Sequence, residues 1–323
     1  GWCHYGTTSS GRYTASQATA GATDGPFRDC LQVDVTTADT GVSGNKVSGI
    51  MQKMEGQNLQ HLHWGQATDD QALALSFWVK SPKTGTHCVS VYLVEGNDSC
   101  CTEYTVSVAD TWEYKTVSFP APGTAVPVID NDANQSLWLV FPLMATGVYQ
   151  ATADAWQEGT EGYATSNQQN FLDNTANNFF LANVMLETGS TNTASTDFPA
   201  EDYGTTLAKC QRYYYSFDIT TGARFGCGGY DGANALGNYM SYPVTMRATP
   251  TASFTSSAFR TAHDGAVHDS TVTITFTGAD QWGCLPMISV HAASTQGEWY
   301  WILDNSGGAA PGGTGDINFT AEL

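Results

Sequence analysis

The sequence predicts an all-β protein of two β-sandwich domains, and three observations carry that reading. Short runs of alternating apolar and polar residues recur along most of the 323 residues, separated by Gly, Asn, Asp and Pro. Helical spacing is convincing in one place alone. Charged residues are only 13% of the chain, so the polar surface must be built from Thr, Ser, Asn, Gln and Gly.

The elements follow in order. Residues 31–36 alternate, and 49–54 are short and apolar. Residues 73–80 alternate well, and Ser81-Pro82-Lys83-Thr84-Gly85 then turns the chain. Runs 88–94 and 103–108 flank a turn at Glu95-Gly96-Asn97-Asp98. Run 112–119 ends at Pro120 and Pro122; 136–143 follows the turn-rich Asp130-Asn131-Asp132-Ala133-Asn134; 179–187 closes the set. Strands at this spacing with polar turns imply a sandwich. Residues 144–178 form a long irregular excursion, and loops of that size usually have a job or are flexible. Tyr203, Leu207 and Cys210 then recur at helical spacing within 202–213. Beyond them 238–245, 252–257, 271–277, 287–291, 299–303 and 317–323 look extended, while 306–315 is Gly-rich with Pro311, a turn or mobile loop. This last region has the size of a small sandwich. The domains are therefore expected at 1–202 and 216–323, with a short helical and aromatic junction at 203–215. No repeat of fixed period is evident, which argues against a solenoid or propeller.

Charge excludes some partners. Lys plus Arg is 12 against Asp plus Glu at 31, a net charge of −19 that repels nucleic-acid phosphates. No run of about 18 apolar residues occurs, so no membrane insertion is expected. No basic stretch followed by an apolar one opens the sequence, so no secretory signal is expected. The sequence opens at Gly1 and not at Met, which reads as a removed upstream segment or a fragment. The eight cysteines are sparse for this length and include no CxxC. Adjacent Cys100 and Cys101 are poorly placed to bridge. A hairpin turning near Gly96-Asn97 sets Cys88 opposite roughly residue 106, away from both. All eight are expected as small buried hydrophobes.

Alternation sorts the faces of the strands. Leu73, Leu75, Phe77 and Val79, then Val89, Val91 and Leu93, then Leu137, Leu139, Phe141 and Leu143 form the expected core. The opposite faces carry Trp78, Tyr92 and Trp138 among Ser76, Lys80, Ser90 and Ser136. A ring stacks on the apolar face of a sugar, and nearby Ser, Asn and Lys groups bond its hydroxyls. Trp78, Tyr92 and Trp138 are therefore the carbohydrate-binding candidates. The alternative is that these rings pack under a loop, a neighbouring domain or a sister subunit. Trp299 and Trp301 share a face in the second region and pose the same choice.

Metal and catalytic signals are weaker. His61-Leu62-His63 places two imidazoles on one face if extended, but no further zinc ligand is identifiable and surface histidines are the simpler reading. Asp130-x-Asp132-x-Asn134 resembles the start of a calcium loop, yet the Gly and the distant Glu are missing, so a turn is favoured. No cofactor is expected, with room left for a structural calcium elsewhere. Glu158 and Glu161 in the excursion are the nearest candidates for a glycosidase pair and lack any special context. GxSxG, HExxH and Gly-rich phosphate loops are absent, so the chain is not expected to be an enzyme.

One resemblance adds to this reading. Cys210-Gln211-Arg212-Tyr213-Tyr214, led by Tyr203-Gly204-Thr205-Thr206-Leu207, is similar to the element that closes a jelly-roll module in tail-fibre and appendage proteins of tailed bacteriophages. Gly11-Arg12-Tyr13-Thr14, Met54-Glu55-Gly56-Gln57, Ser76-Phe77-Trp78-Val79-Lys80, Ser136-Leu137-Trp138-Leu139 and Leu186-Glu187-Thr188-Gly189 fall in the order of that family. So do Tyr242-Pro243-Val244-Thr245-Met246-Arg247 and the terminal Phe319-Thr320-Ala321-Glu322-Leu323. The resemblance implies a jelly roll like that of carbohydrate-binding modules, followed by a smaller sandwich. It implies a virion structural protein, assembled in the host cytoplasm and exposed on the particle, that meets host-cell surface glycans and other virion proteins, with a homotrimer expected by analogy. Two other readings stay open: a purely architectural virion protein that binds no sugar, and an accessory module of a secreted polysaccharide-degrading enzyme. Fold likeness by itself fixes neither.

Overall fold

The computed structural model describes residues 1–7, 11–20, 25–41, 43–190, 201–217, 224–229, 236–237, 239–254, 259–263, 266–268, 274–288, 299–304 and 317–322. The chain divides into two compact units, Gly1–Pro199 and Ala200–Leu323.

The first unit holds β1 (Trp2–Thr7), β2 (Arg12–Thr19), β3 (Asp29–Thr37), β4 (Lys46–Glu55), β5 (Leu73–Lys80), β6 (Gly85–Leu93), β7 (Asp98–Val106), β8 (Glu113–Phe119), β9 (Gln135–Thr146), β10 (Trp156–Gln157) and β11 (Asn178–Thr188). They form a six-stranded sheet in the order β1-β4-β9-β6-β7-β10 and a five-stranded sheet in the order β2-β3-β11-β5-β8. The chain passes repeatedly from one sheet to the other, and the named strands pair antiparallel. This is a jelly-roll β-sandwich. Alternation builds it as expected: the inward side chains of β5, β6 and β9 all join one buried cluster between the sheets. At its centre Phe77 meets Tyr104 and Phe141 edge-on, with ring centroids 5.0 and 5.1 Å away.

Three local expectations are corrected. The β6–β7 hairpin turns between Leu93 and Asp98, so Cys88 pairs with Glu103 and it is Gly85 that opposes Val106. Strands β1 and β2 carry weak alternation because each is an edge strand with few buried positions. His61 lies in the short 3-10 turn Gln60–Leu62 and His63 caps its end, so neither is on a strand. Residues 112–119 start one position late, at Glu113. The segment 130–134 is a turn, in which the Asp132 carboxylate accepts the Asn134 backbone N–H at 2.8 Å.

The second unit opens with α1 (Tyr203–Gln211), capped by the Asp202 side chain, which accepts the Thr205 N–H at 3.0 Å. No residue of α1 is buried. Strands follow at β12 (Tyr214–Phe217), β13 (Arg224–Gly229), β14 (Leu236–Gly237), β15 (Met240–Ser241), β16 (Thr251–Phe254), β17 (Phe259–His263), β18 (Ala266–His268), β19 (Ile274–Thr277), β20 (Gly283–Ile288), β21 (Trp299–Asp304) and β22 (Ile317–Thr320). They form small antiparallel sheets: β12-β22-β16, β13-β21-β17-β18, and β14-β20-β15 with β19 on β20. The strand expected over 238–245 shrinks to β15, since Pro243 stops it. The loop expected at 306–315 lies outside the described residues. Among the described residues no helix is long and apolar enough to cross a membrane.

Candidate functional site

The three candidate rings do not form one site. Trp78 lies on β5, on the outer face of the five-stranded sheet. Tyr92 on β6 and Trp138 on β9 are cross-strand partners on the outer face of the six-stranded sheet, with ring centroids 4.7 Å apart. Trp78 and Trp138 are half-buried. Tyr92 is a correction: only 6% of it is exposed, because the chain covers it. Its hydroxyl donates to Asn97 Oδ1 at 2.7 Å. Burial, with the Glu161 and Asp98 carboxylates nearby, pushes its phenol up to about 12.

The cover is the excursion after β9. Ala151 N–H bonds Ala164 O at 2.8 Å, and Tyr163 N–H bonds Tyr149 O at 3.0 Å, closing it on itself. The Ser99 hydroxyl then pins it to β7, donating to Thr160 O at 2.7 Å and accepting Gly162 N–H at 2.8 Å. Glu103 accepts the Thr165 hydroxyl and, at 3.0 Å, the Asn167 amide. β10 adds a short edge to β7. Fixed in this way, the excursion lays Tyr163 onto Val47, Met51, Cys88, Tyr92, Val140 and Ala145 as a second core outside the sheet. Sequence reasoning missed this layer. Its signal was two tyrosines, Tyr149 and Tyr163, in a segment without strand alternation.

Beside that layer an open strip remains. Trp138 donates its indole N–H to Gln135 Oε1 at 3.2 Å. The Lys53 ammonium lies 5.4 Å from its ring centre. Tyr5 of β1 approaches Trp138 at 5.8 Å and donates its hydroxyl to Glu161 Oε2 at 2.8 Å. Burial raises the Tyr5 phenol, so it stays a hydrogen-bond donor at neutral pH. A ring face, an ammonium, a carboxylate and an amide thus meet on one surface. That set can stack on an apolar ring and bond hydroxyls around it. Among the described residues no three His, Cys, Asp or Glu side chains gather as a metal centre.

The opposite face has its own ring cluster. Trp78 packs with Phe27 at 5.9 Å and Tyr114 at 5.5 Å, and Phe27 meets Trp112 at 4.6 Å. Lys80 sits 5.3 Å from the centre of Phe180. Gln32 donates to Asn178 Oδ1 at 2.7 Å on the same face. In the second unit Trp299 is exposed, while the Trp301 side chain lies outside the described residues.

No family model matches the chain, and no curated protein sequence does. Among solved structures it is similar to the enzymatically active domain of tailspike protein 4 of bacteriophage CBA120, at 12% identity and a TM-score of 0.32. That match covers 58% of this chain and 19% of the tailspike domain, so the chain spans only a small part of that protein. It is similar to the family 11 carbohydrate-binding module of a cellulosomal cellulase of Clostridium thermocellum, at 12% identity and a TM-score of 0.30, over 58% of this chain and 88% of the module. A CBM4 structure matches at 10% identity and a TM-score of 0.30, over 58% and 86% of the two chains. The strand order described above assigns the jelly roll, and the side chains of this chain alone define the site.

Proposed function

We propose that this protein is a virion structural protein of the tail-fibre or appendage type, and that it holds host-cell surface glycans on the outer face of its six-stranded sheet. The observation that carries the glycan reading is the half-open Trp138 ring, set between the Lys53 ammonium and the Tyr5–Glu161 pair. An apolar plate flanked by hydrogen-bonding groups of both kinds is what a sugar ring presents its two surfaces to. The role in this reading is binding. The particle assignment rests on the ordered motifs from Gly11 to Leu323. Assembly as a homotrimer would multiply a modest affinity per site.

A glycan array with Trp138→Ala and Trp78→Ala variants tests the site. The Trp138 variant is expected to lose about tenfold in affinity, the loss of one stacking contact of about 1.4 kcal/mol. Unchanged binding rejects Trp138. Loss confined to the Trp78 variant moves the site to the five-stranded sheet. Imaging the intact particle tests the virion role, and absence of the chain from it would end that reading. One observation favours the architectural reading: α1 buries none of its residues and leaves Tyr203 80% exposed. Sister subunits that sealed Trp138 as well would support it.

A further inference from the structure

A cavity of about 380 Å³ opens between the end of β9 and the segment that leads out of the excursion. Its polar lining is Thr146, Gln150, Ser166, Gln168 and Asn170, with the buried Met144 and Ala145 beneath them. No charged side chain lines it. The volume falls at the small end of the range for small-molecule sites, about 300–1,000 Å³.

The walls are fixed before any ligand arrives. Gln168 accepts the Cys88 N–H at 2.6 Å and donates to Gln169 O at 2.9 Å. Asn170 donates to Asp39 O at 2.7 Å and accepts the Leu172 N–H at 3.0 Å, while Lys83 holds its carbonyl at 2.6 Å. The Thr146 hydroxyl donates to Gly44 O at 2.8 Å. Gln150 donates Nε2 to Ala145 O at 3.1 Å, which leaves its Oε1 without a partner among the described residues. The Ser166 side chain is exposed, and its hydroxyl has no partner among the described residues either. Walls locked in this way lose little freedom when a ligand binds.

We propose that this pocket seats the terminal ring of a neutral glycan. Phosphate, sulfate and carboxylate groups would meet no counter-charge there. A primary amide sets an acceptor and two donors side by side, the pattern that neighbouring sugar hydroxyls complement. The lining holds no aromatic plate, so the pocket takes a chain end and not the length of a chain. The inference takes its ligand class from the ring-face reading above and stands on different residues. Ala145 lines the pocket and belongs to the outer core beside Tyr92. From Trp138 to Ala145 the strand runs about 20–25 Å, and the excursion laid on Val140 separates the two places.

The test is an NMR titration of the full chain with methyl glycosides of neutral monosaccharides, followed by titration with oligosaccharides. The Met144 methyl and the side-chain amides of Gln150 and Gln168 are expected to shift with saturable curves. Ser166→Tyr, which plugs the mouth, is expected to abolish those shifts, and Gln150→Ala to weaken them at least threefold. Trp138→Ala should leave the monosaccharide response intact while weakening the oligosaccharide. Silent pocket signals at saturating sugar would overturn the pocket, as would an undiminished response in Ser166→Tyr with unaltered thermal unfolding. If the pocket is silent and Trp138→Ala still costs oligosaccharide affinity, the ring face stands alone. If the pocket responds and Trp138→Ala changes nothing, the pocket stands and the ring face falls.

Discussion

Tyr92 and Trp138 face each other on one sheet surface, yet only Trp138 keeps an open side. The difference lies in what the excursion covers and not in the residue types. The same burial governs the thiols: Cys100 and Cys101 are fully buried and their thiols are pushed up to about 12, mainly by loss of solvent. All eight cysteines are unbridged, and the expectation that all are buried is corrected: Cys210 is exposed and Cys3 and Cys227 are half-buried. His87 shows the effect on a base. It is buried, stacks with Tyr104 at 5.7 Å, and places Nε2 3.0 Å from Lys83 O. Burial lowers its pKa below the model-peptide value of 6.5, outweighing the carbonyl hydrogen bond, and the Lys83 charge adds to the lowering. The folded state therefore resists protonation. Stability is full above pH 6.5, the unfolded value, and falls as acid drives the pH down through the folded value. Thermal unfolding of His87→Gln between pH 7.5 and 5 should show a shallower acid loss than the parent chain. An identical slope would remove His87 from the account.

At the scale of elements, the excursion makes the six-stranded sheet differ from a bare sandwich face. It brings no long strand of its own and is held by side chains of β6 and β7. Ser99, fully buried, both donates to and accepts from it. Ser99→Ala leaves the Gly162 N–H and the Thr160 carbonyl unpaired, a cost of about 1–3 kcal/mol. Hydrogen exchange over 149–165 is expected to speed up more than exchange over β5. Equal acceleration in both places would show that the excursion and the sandwich open as one. The helix is the contrasting element. Tyr203, Leu207 and Cys210 repeat as the sequence suggests, and α1 forms there, but the face they share meets solvent. A helix of 9 residues is too short to persist on propensity alone, so its cap and its junction with β12 hold it.

For the molecule as a whole, the first unit contains a complete interlayer core and the whole candidate site. A fragment of residues 1–199 is expected to unfold in one cooperative step and to bind the same glycans as the full chain, with lower avidity if the rest of the chain assembles copies. Calorimetry and the same glycan array check this. A fragment that melts without a transition would show that the second unit is part of the first unit's stability.

Sequence alone determined the all-β class, because a period of two is written directly into β5, where Leu73, Leu75, Phe77 and Val79 point one way. It also determined the helix and the residues with rings to offer. It left β1 and β2 unread, since edge strands bury too little to need strict alternation. Tertiary structure decided which rings remain open. Contacts between residues far apart in sequence, such as Tyr5 with Glu161 and Ser99 with Thr160, bring the excursion over Tyr92 and stop short of Trp138. A local pattern says which face of a strand a side chain takes, and says nothing of what another part of the chain will lay upon that face.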